Sequence, residues 1–326
     1  MFEDSKMNLV KKLIENKQCL AIMGPTASGK SQLSMLLAEE LPIEIISVDS
    51  ALIYRDMDIG TAKPTQAELE LVPHHLINTH DAAETYSASE FVDDVNRLVK
   101  EIFNRECLPV LVGGTMMYFN ALQQGMSDLP SADEKIREYW LNIWNETPDL
   151  LHEKLLDIDP VSAERIHKND PQRLVRAIEV YELTGKTLTE FRAEPKKGLP
   201  DFELIKVALI PEDRAKLHRQ IEQRFLTMIE SGFLQEAKGL FERSDLNEDM
   251  TSNRSVGYRQ AWLFMMGEYD YDTFIDKGFV ATRQLAKRQL TWLRKEPNIT
   301  VIDPYETTSD QRVEQTLALL KLKAGA

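Results

Sequence analysis

The sequence has little of what stabilises secreted proteins or anchors membrane proteins. It has only 2 cysteines among 326 residues, Cys19 and Cys107, and they lack metal-ligand spacing. We expect both to be packed thiols rather than a disulfide or a zinc site. No apolar run approaches the ~18 residues that are needed to cross a bilayer. The first residues, MFEDSKMNLVKK, lack the apolar segment and cleavage site of a secretory signal, so we expect a cytoplasmic protein.

Positive charge is also scarce. The chain has 39 lysines and arginines against 53 aspartates and glutamates, which gives a net charge of −14. This balance excludes proteins that coat nucleic acid through bulk electrostatics, so any contact with nucleic acid must be local. The length suits either one large domain that carries an insertion or two domains.

Short, continuous apolar runs recur along the chain and predict strands that are buried on both faces of a sheet. The five runs are CLAIM (19–23), IEIISV (43–48), LPVLV (108–112), IKVALI (205–210) and NITVID (298–303). Helical segments separate them. One begins with the capping box SASE (87–90) and continues with Phe91, Val95, Leu98 and Ile102 at helical spacing. We therefore predict an α/β fold, a doubly wound parallel sheet with helices on both faces.

The pattern of apolar residues changes between residues 129 and 200, where helical periodicity continues without any strand-like run. Segments rich in proline and polar residues, DLPSAD (128–133) and EPKKGLPD (194–201), lie at the two ends and suit hinges. We predict a core built from residues 1–128 and 201–326, the latter part with C-terminal helices, and a helical insertion domain at 129–200.

The octapeptide GPTASGKS (24–31) follows the first predicted strand and matches the phosphate-binding P-loop in full. Its glycines, Gly24 and Gly29, allow successive N–H groups to point into one concavity at a helix N-terminus. Lys30 adds a mobile positive charge, and the Ser31 hydroxyl can bind Mg²⁺. The predicted fold is therefore of the P-loop NTPase type, and the predicted diphosphate-binding residues are Gly24, Pro25, Thr26, Ala27, Ser28, Gly29, Lys30 and Ser31.

The loop indicates phosphates but not the molecule that carries them. GTPases read their base with N-K-x-D, and the nearest string here, Asn16 to Cys19, lacks the aspartate and precedes the loop. GTP is therefore disfavoured. An ATP-dependent small-molecule kinase remains possible, with Asp49 after the second strand as its Mg²⁺ ligand.

Three further residues have more than one interpretation. Asp49 suits a helix cap, a metal ligand or a general base. Thr115 follows two glycines and suits either a ligand contact or an N-cap. Arg224 lies at the edge of the apolar stripe of its predicted helix and so needs an anion, either a structural carboxylate or a diphosphate.

Several motifs together closely resemble the tRNA dimethylallyltransferases, also called tRNA isopentenyltransferases. The motifs are GPTASGKS, ISVDSALIYRDMDIGTAKP, LVGGTMMYFNAL, IHKNDPQRLVRAIEV, IEQRF, SVGYRQ and ATRQLAKRQLTWLR. The resemblance extends from about residue 18 to residue 295, and most of these motifs belong to no general P-loop signature. It implies that the loop holds dimethylallyl diphosphate rather than a nucleotide, and that the prenyl group goes to N6 of adenosine 37, next to the anticodon.

The resemblance also implies roles for individual residues. Asp49 would accept the proton from N6, Thr115 would lie near the reacting atoms, and Arg224 would bind the diphosphate. The implied tRNA-contacting residues are Asp49, Ser50, Ala51, Leu52, Thr115, Arg137, Gln172, Arg173, Leu174, Val175, Arg176, Arg254, Ser255, Val256, Gly257, Tyr258, Arg259, Lys287, Arg288 and Arg294. Helical spacing places Arg283, Lys287 and Arg294 on one stripe, either as a solvated face or as a phosphate contact.

Two other functions remain as alternatives. An adenylate isopentenyltransferase would share the P-loop but would have little use for QRLVR and KRQLTWLR. A nucleotide-dependent RNA-binding protein would hydrolyse ATP and modify no base. For the favoured function we expect Mg²⁺ as cofactor, the tRNA anticodon stem-loop and dimethylallyl diphosphate as partners, and a monomer.

Overall fold

The computed structural model describes residues 2–325, with side chains described from Ser5 onward. The chain divides into two compact units. The first consists of the residues up to Ala121 and from Pro200 on, and the second is Leu122–Leu199. The second unit begins before the predicted boundary at residue 129.

A six-stranded, wholly parallel sheet forms the centre of the first unit, with the strand order β3-β2-β4-β1-β5-β6. The strands are β1 Gln18–Met23, β2 Ile43–Val48, β3 His74–His75, β4 Leu108–Gly113, β5 Glu203–Leu209 and β6 Ile299–Ile302. The five apolar runs are confirmed as strands, and the α/β fold with a parallel sheet is confirmed. Strand β3 was not predicted, because a pair of histidines has no apolar periodicity.

Fifteen helices lie within the described residues. They are α1 Phe2–Glu15, α2 Lys30–Glu40, α3 Gln66–Leu71, α4 Ala88–Asn104, α5 Met116–Gln124, α6 Glu134–Glu146, α7 Pro148–Ile158, α8 Pro160–Arg165, α9 Pro171–Thr184, α10 Leu188–Ala193, α11 Arg214–Glu230, α12 Phe233–Phe241, α13 Tyr258–Met265, α14 Tyr271–Leu293 and α15 Ser309–Ala324. The capping box of α4 is confirmed, because Ser87 and Glu90 exchange both of its hydrogen bonds. None of the described helices is long and apolar enough to span a bilayer.

The main core of the first unit lies between the sheet and helices α1, α2 and α15. Alternate residues of the central strands face this layer, among them Leu20 and Ile22 of β1 and Val110 of β4, all essentially buried. Burial of each such side chain contributes about 1.5–3 kcal/mol of hydrophobic free energy. This layer fixes the central strands, so the loops at their carboxyl ends start from rigid positions.

The ends of β2 and β4 approach each other unusually closely. A Cβ atom on Gly113 would lie 2.0 Å from the carbonyl oxygen of Val48, so only glycine permits this approach. Thr115 N–H then donates to Val48 O at 3.1 Å. The residues that follow the two strands are thereby held side by side.

The second unit is a bundle of helices α6–α10 around its own apolar core, which includes Trp140, Leu151 and Ile178. Glu179 is fully buried beside this core. Its carboxylate accepts hydrogen bonds from Arg137 at 3.0 Å, Arg176 at 2.5 Å and the Asp133 N–H at 2.7 Å. Burial raises the pKa of Glu179, but these hydrogen bonds outweigh it, so the net shift is downward. The carboxylate therefore stays charged inside the bundle.

Candidate functional site

The P-loop occupies the carboxyl end of β1, next to the middle of the sheet. Gly29 has φ +89° and precedes α2, and no side chain caps this helix. The first N–H groups of α2 therefore point out of the helix end, an arrangement that favours anions. Gly24 is needed for packing, since a Cβ there would lie 2.9 Å from Leu209 O of the neighbouring strand β5.

Lys30 is the main positive group of this loop. Its Nζ donates to Pro25 O at 2.7 Å. Burial, as the main cause, and the charge of Arg224 together lower the pKa of Lys30 to about 7, whereas the Asp49 carboxylate opposes the shift. The protein therefore holds this charge at a cost that a bound anion would offset.

Arg224 lines the same cavity from α11, where Ile221 and Phe225 are buried beside it. Burial lowers the pKa of Arg224, and Asp49 is the group that opposes the shift. Among the described residues no carboxylate lies within ion-pair distance of its guanidinium. Of the two anions that the sequence left open, the structural carboxylate is therefore disfavoured.

Asp49 directly follows β2, and its Oδ1 accepts a hydrogen bond from the Ala51 N–H at 2.9 Å. The N–H of Ser50, which lies between these two residues, donates to Thr115 Oγ1 at 3.1 Å. The Asp49 carboxylate therefore closes a tight turn, and the Thr115 hydroxyl anchors the same turn. Both side chains keep a fixed position at the cavity wall.

All of these groups line one cavity of about 470 Å³. Its polar lining residues include Lys30, Ser31, Asp49, Thr115 and Arg224. Its apolar lining residues include Ile221, Phe225, Met228, Leu285 and Val256. A carboxylate, two cationic side chains and apolar side chains thus share a space of small-molecule size.

The sequence between residues 52 and 296 matches the protein family described as IPP transferase. The chain belongs to the IPP transferase family. This IPP transferase is 64% identical over 312 residues to the tRNA dimethylallyltransferase of Hydrogenovibrio crunogenus (strain DSM 25203 / XCL-2), covering 95% of this chain and 96% of that protein.

Solved structures agree with this assignment. The IPP transferase is similar to the full-length tRNA isopentenylpyrophosphate transferase of Bacillus halodurans, with a TM-score of 0.70 and 36% identity over 95% of this chain and 98% of that one. It is also similar to a eukaryotic dimethylallyltransferase that acts on tRNA, with a TM-score of 0.77 and 28% identity over 92% of this chain and 77% of that one. The resemblance that the motifs indicated, and the P-loop type of fold, are confirmed.

One structural element of the site was not foreseen. Residues Asp58, Ile59 and Gly60 donate their backbone N–H groups to the carboxylate of Glu236, at 2.8, 2.7 and 3.0 Å. Tyr258 also donates its hydroxyl to Glu236, at 2.5 Å. Gly60 lines the cavity, so Glu236 fixes part of the cavity wall from α12. The sequence pattern of an amphipathic helix predicts that an acidic residue faces solvent, so the role of Glu236 was not predicted from sequence.

The predicted RNA-contacting residues of the second unit divide by exposure. Gln172 and Arg173 are exposed at the start of α9. Leu174 and Val175 are buried in the bundle, so their side chains are unsuited to contact RNA in this structure. Arg137 and Arg176 bind Glu179, which gives them a structural partner inside the unit. Gln172 and Arg173 therefore present their polar groups to solvent, and the Arg173 guanidinium also forms an ion pair with Asp170 at 3.3 Å.

The predicted RNA-contacting residues of the first unit also divide into exposed and buried ones. Arg254, Arg259, Lys287, Arg288 and Arg294 are exposed, while Ser255 and Val256 are partly buried and line the cavity with Ser50, Ala51 and Leu52. Gly257 and Tyr258 are buried, so neither residue is accessible to RNA in this conformation.

The expected stripe on α14 needs correction at one position. Arg283 forms an ion pair with Glu222 of α11, so it is unavailable as a phosphate contact, whereas Lys287 and Arg294 remain exposed. Trp292, which is 45% exposed, lines the cavity together with Arg288.

Proposed function

We infer that this IPP transferase is a tRNA dimethylallyltransferase. It transfers the dimethylallyl group from dimethylallyl diphosphate to N6 of adenosine 37, next to the anticodon, in the cytoplasm. The proposal rests on one observation: the P-loop, the unpaired Arg224 and Asp49 line the same cavity. It is supported by the 64% identity of the chain to a tRNA dimethylallyltransferase.

The cavity suits departure of the diphosphate. An exocyclic adenine amine is a poor nucleophile, so transfer depends on breaking the bond between the allylic carbon and the diphosphate oxygen. Lys30, Arg224 and the N–H groups at the start of α2 stabilise the negative charge that develops on the leaving diphosphate. Their positions are set before substrate arrives, because the sheet and α11 hold them.

Asp49 is the proton acceptor. As N6 forms its bond to the allylic carbon, the nitrogen becomes acidic, and its proton moves to the Asp49 carboxylate. The Ala51 N–H holds one carboxylate oxygen, which leaves the other for N6. A general base of this kind contributes typically 10²–10⁴-fold to the rate. Thr115 supports Asp49 by holding the backbone of Ser50.

Mg²⁺ fits the donor groups of this site. Ser31 lines the cavity in the first turn of α2, and its hydroxyl is the protein oxygen that would hold the ion. No cluster of three or more acidic, histidine or cysteine side chains suited to a metal occurs within residues 5–325. Mg²⁺ is commonly held by one or two protein oxygens, substrate phosphates and water, and the Ser31 hydroxyl can supply one such oxygen. When bound, the ion would neutralise part of the diphosphate charge.

The RNA surface follows from exposure and charge. Lys287, Arg288 and Arg294 are exposed on or beside α14, and Trp292 and Arg288 lie at the cavity. Aromatic and guanidinium planes stack on unpaired bases, and the target adenine must leave the anticodon stack to reach Asp49. On a chain with net charge −14, these residues provide the local basic contact that RNA requires.

The test is incubation of the protein with unmodified tRNA, Mg²⁺ and dimethylallyl diphosphate, followed by mass spectrometry of the anticodon-loop adenosine. We expect the mass of a dimethylallyl group at adenosine 37, and at least about a hundredfold slower modification in an Asp49→Ala control. Modification of free AMP in place of tRNA would support an adenylate isopentenyltransferase. Tighter binding of ATP than of dimethylallyl diphosphate would support a kinase or an ATP-dependent RNA-binding protein.

A monomer is expected for the active protein, since one compact enzyme needs no partner subunit to bind one tRNA. Light scattering of the protein alone and with one equivalent of tRNA tests this. A dimeric mass for the RNA-free protein would contradict it.

A further inference from the structure

Gln289 bridges two loops of the site from the buried face of α14. Its Oε1 accepts a hydrogen bond from the Thr26 N–H of the P-loop at 2.9 Å. Its Nε2 donates to Gly114 O, just after β4, at 3.0 Å. The side chain is only 8% exposed, the bond to Gly114 is buried, and the bond from Thr26 is partly buried. One amide thus uses its acceptor and a donor to connect two segments that are far apart in sequence.

The absence of a side chain at Gly114 makes room for the Gln289 amide. A Cβ atom on Gly114 would lie 2.3 Å from Gln289 Nε2. Any other residue at position 114 would therefore displace the amide. The neighbours of Gln289 on the same face of α14 are the buried Ala286, Leu290 and Leu293. A polar residue within an apolar stripe costs stability unless its hydrogen bonds are made, which favours a specific role.

We propose that Gln289 is a positioning residue that holds the first half of the P-loop in the conformation that receives the diphosphate. The Thr26 N–H is tied to Gln289, which leaves the N–H groups nearer α2 for the anion. By holding Gly114 as well, Gln289 fixes the P-loop relative to the segment that carries Thr115. Gln289 therefore belongs to the diphosphate site, although it lies between Lys287 and Arg294 in a segment that the sequence assigns to tRNA contact.

The helix around Gln289 explains why this position matters. Lys287 and Arg288 are exposed, while Gln289 points to the P-loop. The RNA-contacting residues and the diphosphate loop are thus connected through one rigid helix. This inference rests on the proposed function for the nature of the anion, a diphosphate.

The test compares Gln289→Leu with wild type, because leucine has a similar size but no hydrogen-bonding groups. Gln315→Leu is the matched control, since Gln315 is exposed on α15 away from the cavity. Calorimetry would measure binding of inorganic pyrophosphate with Mg²⁺, and fluorescence anisotropy would measure binding of an anticodon stem-loop RNA. We expect Gln289→Leu to raise the dissociation constant for pyrophosphate about ten- to a hundredfold, since the partly buried Thr26 N–H and the buried Gly114 carbonyl lose their partner.

Binding of the RNA should change less than about twofold in Gln289→Leu, and the KM for the donor should rise while that for tRNA stays constant. Gly114→Ala removes no polar group but displaces the amide, so it should reproduce the loss of pyrophosphate affinity. Unchanged pyrophosphate binding in both variants would overturn the proposal. Equal weakening of pyrophosphate and RNA binding would also overturn it, because that indicates general disruption. Wild-type protein that binds pyrophosphate but modifies no tRNA would refute only the proposed function.

Discussion

Replacing Lys30 by methionine should stabilise the protein in the absence of ligand, and the gain should shrink as pH rises. Methionine keeps an unbranched chain but removes the charge. The pKa of Lys30 falls from 10.5 to about 7 in the folded protein, chiefly through burial. At about 1.4 kcal/mol for each pKa unit, that fall corresponds to about 5 kcal/mol of cost to the folded state below pH 7.

The sign of the pH dependence follows from proton binding. The unfolded chain keeps Lys30 protonated up to about pH 10.5, whereas the folded protein releases the proton near pH 7. Between these values the unfolded state binds more protons, so the stability of the wild type rises with pH. Relative to Lys30→Met, the wild type should gain about 3 kcal/mol between pH 6 and pH 9.

Urea unfolding at pH 6, 7, 8 and 9, followed by circular dichroism, measures this difference directly. Other titrating groups are common to both proteins and cancel when the two free energies of unfolding are subtracted. Lys11→Met serves as the control, since Lys11 is exposed on α1. A constant difference between wild type and Lys30→Met across this range would refute the argument that burial of the Lys30 charge is costly.

Three further predictions follow from the site and from the second unit. Asp49→Ala should cut prenyl transfer at least about a hundredfold while pyrophosphate binding stays nearly intact, as expected for a lost general base; unchanged turnover would remove Asp49 from the mechanism. Lys287→Ala should weaken tRNA binding and reduce the slope of its salt dependence by about one, whereas the exposed Lys321→Ala should not; equal slopes in a salt titration would exclude a phosphate contact. Glu179→Ala should destabilise the second unit by about 3 kcal/mol, because two arginines and an N–H lose their buried partner; thermal unfolding against the exposed Glu164→Ala tests this, and equal melting temperatures would contradict it.

Five of the six strands were predictable because each is a continuous apolar run, and a run of that kind has few alternatives in a parallel α/β fold, whereas the two-histidine strand β3 has no such pattern. The capping box at Ser87 was predictable for a similar reason, since both of its partners are three residues apart. By contrast, Arg224 was ambiguous in sequence, because a helical wheel places an arginine at an apolar edge without identifying its partner. In the structure, no carboxylate of the described residues lies within ion-pair distance of the Arg224 guanidinium. Arg224 lines the cavity instead.

Gln289 carried a signal that sequence reasoning did not use. It is a polar residue at a position of α14 where helical spacing calls for an apolar one, beside Ala286 and Leu290. That pattern predicts a buried amide with specific partners, but it does not identify them. The partners Thr26 and Gly114 are 263 and 175 residues away along the chain. The three N–H groups held by Glu236 were equally remote.

By itself, the sequence determined the parallel sheet, the P-loop and the resemblance to a family of tRNA-modifying enzymes, because these depend on local periodicity and on short motifs of fixed spacing. Only the tertiary structure decided which side chains share the cavity, which arginines are already paired and which residues hold the loops. Those properties depend on contacts between distant segments, and the burial and charge that such contacts create have no local pattern in the chain.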